Sequence, residues 1–180
     1  LSDVQRDGPG PDKAREVAEF IFGSCYSHDK KCLPEFYTEE WRHLSSPEEG
    51  YADTGHQCEW AFLLSEADRL GVVRDYMDKG HELLDFAMHN AYDPQQGGIC
   101  SPCTPEGEII RNNKGWWEQC EAVRALHRYC TDHGRDDLAE QYEKCISFII
   151  DYYRDPEYGG FYSSLTPENQ PHDTTKGTPW

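Results

Sequence analysis

The chain repeats one loop sequence at an interval of about 62 residues, which restricts it to a repetitive fold. Residues 92–99 read YDPQQGGI and residues 154–161 read RDPEYGGF, so that Asp155 follows Asp93 by 62 positions. Residues 27–33 form a degenerate third copy. Proline after aspartate ends a helix, and the glycine pair permits a tight reversal of the chain. Each copy therefore predicts a turn that follows a helix.

The residues before each loop copy have the apolar spacing of an amphipathic helix, with three- and four-residue intervals. Partner helices are predicted to begin at His56 and at Trp117, which are 61 positions apart. Helical hairpins at a fixed period predict a solenoid or a closed α/α toroid, and therefore an all-α fold. The predicted apolar stripes are Ala14, Val17, Ala18, Ile21, Phe22 and Cys25 in the first helix, Leu83, Leu84, Ala87, Met88 and Ala91 in the second, and Tyr142, Cys145, Ile146, Ile149 and Tyr153 in the third.

Length and charge limit the class of protein. A chain of 180 residues is long enough for one domain with a sizeable core. Its formal net charge of −17 argues against nucleic acid and anionic membrane surfaces as partners, because both repel it. No apolar run approaches the ~20 residues needed to span a bilayer, and no signal peptide is recognisable. Because the sequence starts at Leu1 rather than at Met, we expect the natural N-terminus to lie elsewhere.

Most of the eight cysteines lie on predicted helical stripes, where cysteine acts as a small apolar residue. We therefore expect free thiols and a cytoplasmic protein. Cys100 and Cys103 have a metal-like spacing, but a zinc site needs a second ligand pair, and none with matching spacing is present. No metal ion and no cofactor are expected. The stripe cysteines are Cys25, Cys58, Cys120, Cys130 and Cys145.

The sequence around His56 predicts the start of a helix that carries polar side chains on its inner face. Thr54 is a candidate N-cap, and Gln57, three residues later, completes a capping-box pattern. Polar residues on a buried face need partners or a polar cavity. His56 and Glu59 are therefore candidates for chemistry, although an inward histidine is more often a satisfied core residue. The predicted stripe is His56, Glu59, Trp60, Leu63, Leu64 and Ala67.

The position of His56 in the first helical turn also predicts its charge. The positive end of the helix dipole disfavours an imidazolium ion, so we expect a neutral ring. A neutral imidazole is the form that a general base requires.

A toroid brings the N-terminal ends of its inner helices to one mouth. The helix that begins near Lys114 would then place Lys114, Trp116, Trp117 and Glu121 opposite His56. Aromatic rings beside carboxylates are the usual lining of a sugar site, because rings stack on C–H faces while polar groups bind hydroxyls. The alternative is that the two tryptophans are core residues.

Three motifs together resemble the N-acylglucosamine 2-epimerase family, which includes mannose isomerases and cellobiose 2-epimerases. They are GHQCEWAFLL at residues 55–64, WWEQCEAVRAL at residues 116–126 and DPEYGGFY at residues 155–162. The sequences LPEFY at residues 33–37 and KGTPW at residues 176–180 fit the family as well. The resemblance implies an (α/α)6 barrel, in agreement with the repeat.

The resemblance also implies an activity, namely proton transfer at the carbon next to a sugar carbonyl group without a metal or redox cofactor. His56 would be one of two acid/base histidines, and Glu59 the neighbouring carboxylate that contacts a mono- or disaccharide. Either Trp116 or Trp117 would line the sugar pocket, and so would Trp180. Such chemistry passes through an enediolate, and whether it leads to 2-epimerisation or to aldose–ketose isomerisation stays open, with a slight preference for the isomerase. Relatives often form homodimers.

The sequence departs from the family pattern at its end. The second histidine of the family belongs to a Tyr-His-x-x-Arg motif a few residues after the position of Trp180. Three repeat units would make half of a six-unit ring. We therefore expect residues 1–180 to be one partial barrel domain, roughly the C-terminal half without the last helix, and to be inactive alone.

Two alternative functions remain. A glycoside hydrolase or lyase on the same toroid would use two carboxylates, for which Glu59 and Glu121 are candidates. A sugar-binding relative without catalysis would retain the barrel and lose the chemistry.

Overall fold

In the computed structural model, residues 9–44, 49–172 and 176 are described, and this part of the chain is mostly helical, which confirms the all-α prediction. A two-residue strand, β1 (Lys114–Gly115), pairs antiparallel with β2 (Ser164–Leu165). No helix in the described part is long and apolar enough to cross a membrane. The helices are α1 (Pro9–Phe20), α2 (Thr54–Arg69), α3 (Met77–Asn90), α4 (Trp116–Asp132) and α5 (Ala139–Phe148), with π-helical turns at Ile21–Cys25 and Ile149–Tyr153 and a 3-10 turn at Asp136–Leu138.

The helices pack as hairpins around two adjoining cores. Helix α2 packs against both α3 and α4, and α4 packs in turn against α5. Small residues such as Ala61 and Ala122 are fully buried where α2 and α4 meet, so the two helix axes can approach closely. The second core joins α1 to the far side of α2 through Ala18, Phe22 and Leu64.

The predicted stripes agree with the structure to different degrees. All five stripe residues of α3 are buried, which confirms that prediction. In α1 the prediction is wrong for Ala14 and Val17, which are exposed. In α2 it is wrong for Leu63, which is 45% exposed, because the buried face of this helix is rotated toward polar residues that hold the neighbouring loops.

Two glutamines hold these loops in the same way. The Gln57 side chain accepts a hydrogen bond from the Leu33 N–H at 2.8 Å and donates to the carbonyl oxygens of Leu33 and Asp53, both at 2.9 Å. Gln119 makes the corresponding three bonds to Ile99 and Gly115. Gln57 therefore does not close a capping box with the helix N-terminus. The two glutamines are 62 positions apart and define the register of the repeat.

Each Asp-Pro loop is closed by a lysine that follows 21 positions later. The carboxylate of Asp93 accepts hydrogen bonds from the N–H groups of Gln95 and Gln96, both at 3.0 Å. Its second oxygen accepts from the Lys114 ammonium at 2.8 Å, and this ammonium also donates to the Gly97 carbonyl oxygen at 3.0 Å. The charge of Lys114 is thus buried, next to a half-buried Asp93.

The second Asp-Pro loop repeats this arrangement. Asp155 accepts from the N–H groups of Glu157 and Tyr158, and Lys176 bonds to both Asp155 and the Gly159 carbonyl oxygen. The sequence repeat at 62 residues is therefore a repeat of specific polar contacts, as well as of helices.

Replacing Lys114 should destabilise the fold strongly. In Lys114→Met the Asp93 carboxylate, the Gly97 carbonyl oxygen and Asn169 lose the ammonium group that they bind, and we expect a loss of about 3 kcal/mol in the free energy of unfolding. Lys144→Met removes an exposed lysine of α5 that pairs with Glu140, and should change stability little. Urea denaturation of both variants measures the difference, and equal stabilities would contradict the structural role of Lys114.

Candidate functional site

His56 lies in the first turn of α2, which begins one residue earlier than the sequence pattern predicts. The N-cap is Asp53, whose carboxylate accepts hydrogen bonds from the N–H groups of Gly55 at 2.8 Å and His56 at 3.2 Å. Thr54 is therefore not the N-cap, and its hydroxyl instead donates to the Cys100 carbonyl oxygen at 2.7 Å. A short carboxylate at this position satisfies two of the free N–H groups at the helix end.

A glutamate from the preceding loop holds the imidazole ring. His56 Nδ1 lies 3.0 Å from Glu35 Oε1, and the same carboxylate oxygen accepts from the Asp53 N–H at 3.4 Å. The backbone of Glu35 is fixed by a 2.9 Å bond from its N–H to the Tyr51 carbonyl oxygen. Nε2 of His56 makes no hydrogen bond within the described residues, so this nitrogen is the one available for chemistry.

The Glu35 contact determines the charge of His56. The hydrogen bond to Glu35 raises the pKa of His56 to about 9, against the opposing effect of burial, and the charges of Asp53 and Glu59 act in the same direction as Glu35. The expected neutral imidazole is therefore wrong, because a carboxylate in direct contact outweighs the partial charge of the helix end. At neutral pH the ring is an imidazolium ion.

Trp117 is the tryptophan that lies against His56. The two ring centroids are 4.9 Å apart, and the Trp117 ring also lies against Gly55. Trp116 points elsewhere, with its ring stacked on Phe161 at 4.4 Å. The prediction that Lys114 shares the cavity is wrong as well, since its side chain is 2% exposed and is held by the Asp93 loop.

The two predicted carboxylates lie near this pair. The charge of Glu59 contributes to the raised pKa values of both His56 and Glu121, which places all three in one electrostatic environment. The pKa of Glu121 is raised chiefly by burial, and its carboxylate bonds to Arg124 on the same helix. Trp180 lies outside the described residues.

Glu118 is a residue of this site that the sequence analysis missed. It stands one position before Gln119, as His56 stands one position before Gln57. Burial raises the pKa of Glu118 to about 7, and the nearby Asp53 adds to the shift, whereas His56 opposes it. An alignment of the two repeats on Gln57 and Gln119, rather than on the predicted helix starts, places Glu118 at the position of His56.

Glu35 was also missed as a functional candidate. Its sequence LPEFY contributed to the family resemblance, but no spacing rule connects it with His56, which lies 21 positions away. Contacts of Glu35 with the backbone of Tyr51 and Asp53, just before α2, bring the two side chains together.

The described residues offer no cluster of three or more His, Cys, Asp or Glu side chains that could hold a metal ion. The eight cysteines are free thiols. Cys103 is buried and donates its thiol to the Ala52 carbonyl oxygen at 3.8 Å, a structural contact.

Comparison with known proteins identifies the family of the chain. Residues 1–180 match the N-acylglucosamine 2-epimerase (GlcNAc 2-epimerase) family. A D-mannose isomerase of Marinomonas mediterranea is 28% identical over 153 residues, which are 79% of this chain and 38% of that protein. An N-acylglucosamine 2-epimerase of Mus musculus is 28% identical over 158 residues, 84% of this chain and 38% of that enzyme.

The fold of a solved relative agrees with these matches. A crystal structure of a D-mannose isomerase superposes with a TM-score of 0.79 at 24% identity, covering 92% of this chain and 45% of that one. The helical arrangement described above is therefore that of the (α/α)6-barrel epimerases. The chain spans less than half the length of these relatives.

A methyl group at Gly55 should disturb the site directly. In Gly55→Ala the new Cβ would lie 2.8 Å from the Trp117 ring and from Glu118 Cγ, so Trp117 must move away from His56. We expect a loss of about 1–3 kcal/mol in the free energy of unfolding and a changed tryptophan fluorescence. Gly23→Ala is the control, because a Cβ there has no neighbour within 4 Å. An unchanged Gly55→Ala variant would contradict the close packing.

Removal of the Glu35 charge should lower the pKa of His56. In Glu35→Gln the main cause of the raised value is lost, and the pKa of His56 should fall from about 9 toward 6.5. NMR titration of the His56 ring protons measures the shift directly. Glu39→Gln, a change at an exposed glutamate of the same loop, should leave the titration unaltered. Identical titration curves for Glu35→Gln and the unsubstituted chain would disprove the pairing.

Proposed function

Because the chain belongs to the N-acylglucosamine 2-epimerase family, a family of sugar epimerases and isomerases, we propose that its site transfers a proton at the carbon next to a sugar carbonyl group. The observation that carries this proposal is the arrangement of His56 between Glu35 and Trp117. It combines an oriented acid/base group with an aromatic surface in one place.

In this proposal His56 acts as the proton donor. Its Nδ1–H is held by Glu35, which fixes the ring orientation and leaves Nε2 for the substrate. The raised pKa of His56 favours the charged form, which can stabilise the negative charge that develops on an enediolate oxygen and can then release a proton. The matching base would be the histidine of the Tyr-His-x-x-Arg motif that the family carries.

The neighbouring side chains have binding roles in this proposal. Trp117 would stack on the C–H face of a sugar ring, and Glu59 and Glu121 would accept hydrogen bonds from sugar hydroxyls. Trp116 is less suited to this role, because its ring is already stacked on Phe161. Trp180 keeps the pocket-lining role that the family resemblance implies.

The substrate is proposed to be a monosaccharide. The relatives include a D-mannose isomerase and an N-acylglucosamine 2-epimerase, so mannose and N-acylhexosamines are the first candidates. Epimerisation returns the proton to C2, whereas isomerisation delivers it to C1. The outcome depends on where the second acid/base group stands relative to His56.

Deuterium exchange tests the proposal. The protein, produced at its natural length, is incubated in D2O with mannose, N-acetylmannosamine or cellobiose, and proton NMR follows the C2 position. We expect exchange with one of these sugars. His56→Asn should reduce the exchange rate by about a hundredfold or more, because acid–base catalysis contributes that much.

The control for this substitution is His127→Asn, a change at an exposed histidine of α4, which should retain the full rate. Absence of exchange with all three sugars would overturn the proposed chemistry. Hydrolysis of cellobiose that survives the His56→Asn change would favour a glycoside hydrolase, and sugar binding without exchange would favour a non-catalytic relative.

A further inference from the structure

The repeat places Glu118 in α4 where His56 stands in α2. Both residues immediately precede the glutamine that holds the neighbouring loop, and Gln57 and Gln119 make the same three hydrogen bonds. The two helices pack side by side. His56 and Glu118 therefore lie in the first turns of two adjacent helices, next to one another across the α2–α4 interface.

The packing at Gly55 confirms that the two side chains are neighbours. A Cβ on Gly55 would lie 2.8 Å from Glu118 Cγ, so the side chain of Glu118 lies directly against the backbone that carries His56. The carboxyl group of Glu118 also lies against the backbone of Gly115 at the start of its own helix. Larger residues at Gly55 or Gly115 would occupy the space of Glu118.

One carboxyl oxygen of Glu118 has no hydrogen-bond partner within the described residues. Oε2 is buried and makes no hydrogen bond there. Buried polar atoms in folded proteins are almost always paired, because an unpaired one loses its interaction with water without compensation. An orphaned carboxyl oxygen on a side chain that neighbours His56 is therefore an indication of function.

The surroundings of Glu118 favour a carboxyl group that retains a proton. Burial is the main reason that its pKa is about 7, with Asp53 adding to the shift and the cations His56 and Arg111 opposing it. The hydroxyl of Tyr153, from the turn after α5, also lies within electrostatic reach of Glu118. In its neutral form a carboxyl group can donate a hydrogen bond, which a carboxylate cannot.

We propose that Glu118 is a sugar-binding residue of the site and that its protonated carboxyl group donates a hydrogen bond to a sugar oxygen bound beside Trp117 and His56. This inference rests on the proposed function. Glu118 would bind the sugar, and His56 would carry out the proton transfer. The donor is lost when Glu118 ionises, so sugar binding should weaken as the pH rises above about 7.

Steady-state C2 exchange between pH 5.5 and 9 tests this role in the protein at its natural length. Glu118→Gln retains a donor and cannot ionise, so its KM should stay constant where the KM of the unsubstituted protein rises. Glu118→Ala should raise KM by about threefold to tenfold at pH 6, the effect of one lost hydrogen bond. Glu143→Gln, a change at an exposed glutamate of α5, should leave the KM profile unaltered.

Two results would overturn the inference. The first is a KM profile that is the same in Glu118→Gln and the unsubstituted protein, and the second is an unchanged KM in Glu118→Ala. A purely structural role would lower the melting temperature without altering the pH dependence of KM. If Glu118→Ala does not fold, the nearly isosteric Glu118→Gln variant still tests the inference. The pH profile of its KM alone distinguishes a sugar-binding role of Glu118 from a purely structural one.

Failure of the proposed function gives a different result. In that case the unsubstituted protein exchanges no deuterium with any sugar, and the carboxyl 13C resonance of Glu118 is followed instead, with Glu118→Gln serving to assign it. A shift of this resonance and of its titration midpoint on addition of mannose or cellobiose supports the contact. An unchanged resonance at saturating sugar would overturn it.

Discussion

Lys114 carries a positive charge into the interior of the protein, where its side chain is only 2% exposed. The charge is tolerated because Asp93, the Gly97 carbonyl oxygen and Asn169 surround the ammonium group. Since Lys114 stands two residues before α4, this contact fixes the start of the helix relative to the loop that follows α3. The first turn of α4 then brings Trp117 to His56, so the geometry of the site depends on a buried charge outside it.

The repeat conserves the scaffold and varies the chemistry. The contacts of Gln57 and Gln119 are the same, whereas the residues just before them are a histidine in one helix and a glutamate in the other. The N-terminal ends differ too, because α2 is capped by Asp53 and α4 starts at Gly115 without a side-chain cap. Two helix starts of the same construction thus place a histidine and a glutamate next to each other on adjacent helices.

The helices and their period could be predicted from the sequence because both are local patterns. The sequence does not predict which of the two tryptophans contacts His56, because Trp116 and Trp117 are adjacent and their side chains differ by about 100° around the helix. The charge of His56 could not be predicted either, because its partner Glu35 is 21 positions away and reaches it through a loop contact. The start of α2 lies one residue before the predicted position because Asp53, a residue type preferred over threonine at N-caps, precedes Thr54 and caps the helix.

Burial and neighbouring charges together determine the protonation of the site. Neighbouring carboxylates raise one another's pKa values, and the most deeply buried group takes up the proton first. Here that group is Glu118. The contact with the Glu35 carboxylate favours the charged form of the His56 imidazole, because it raises the pKa of the ring. With a pKa of about 7 for Glu118 and about 9 for His56, two ionisable groups that can carry a proton near neutral pH lie on adjacent helices. In the proposed proton transfer the charged ring of His56 can stabilise the developing oxyanion, while the protonated carboxyl group of Glu118 donates a hydrogen bond to the sugar.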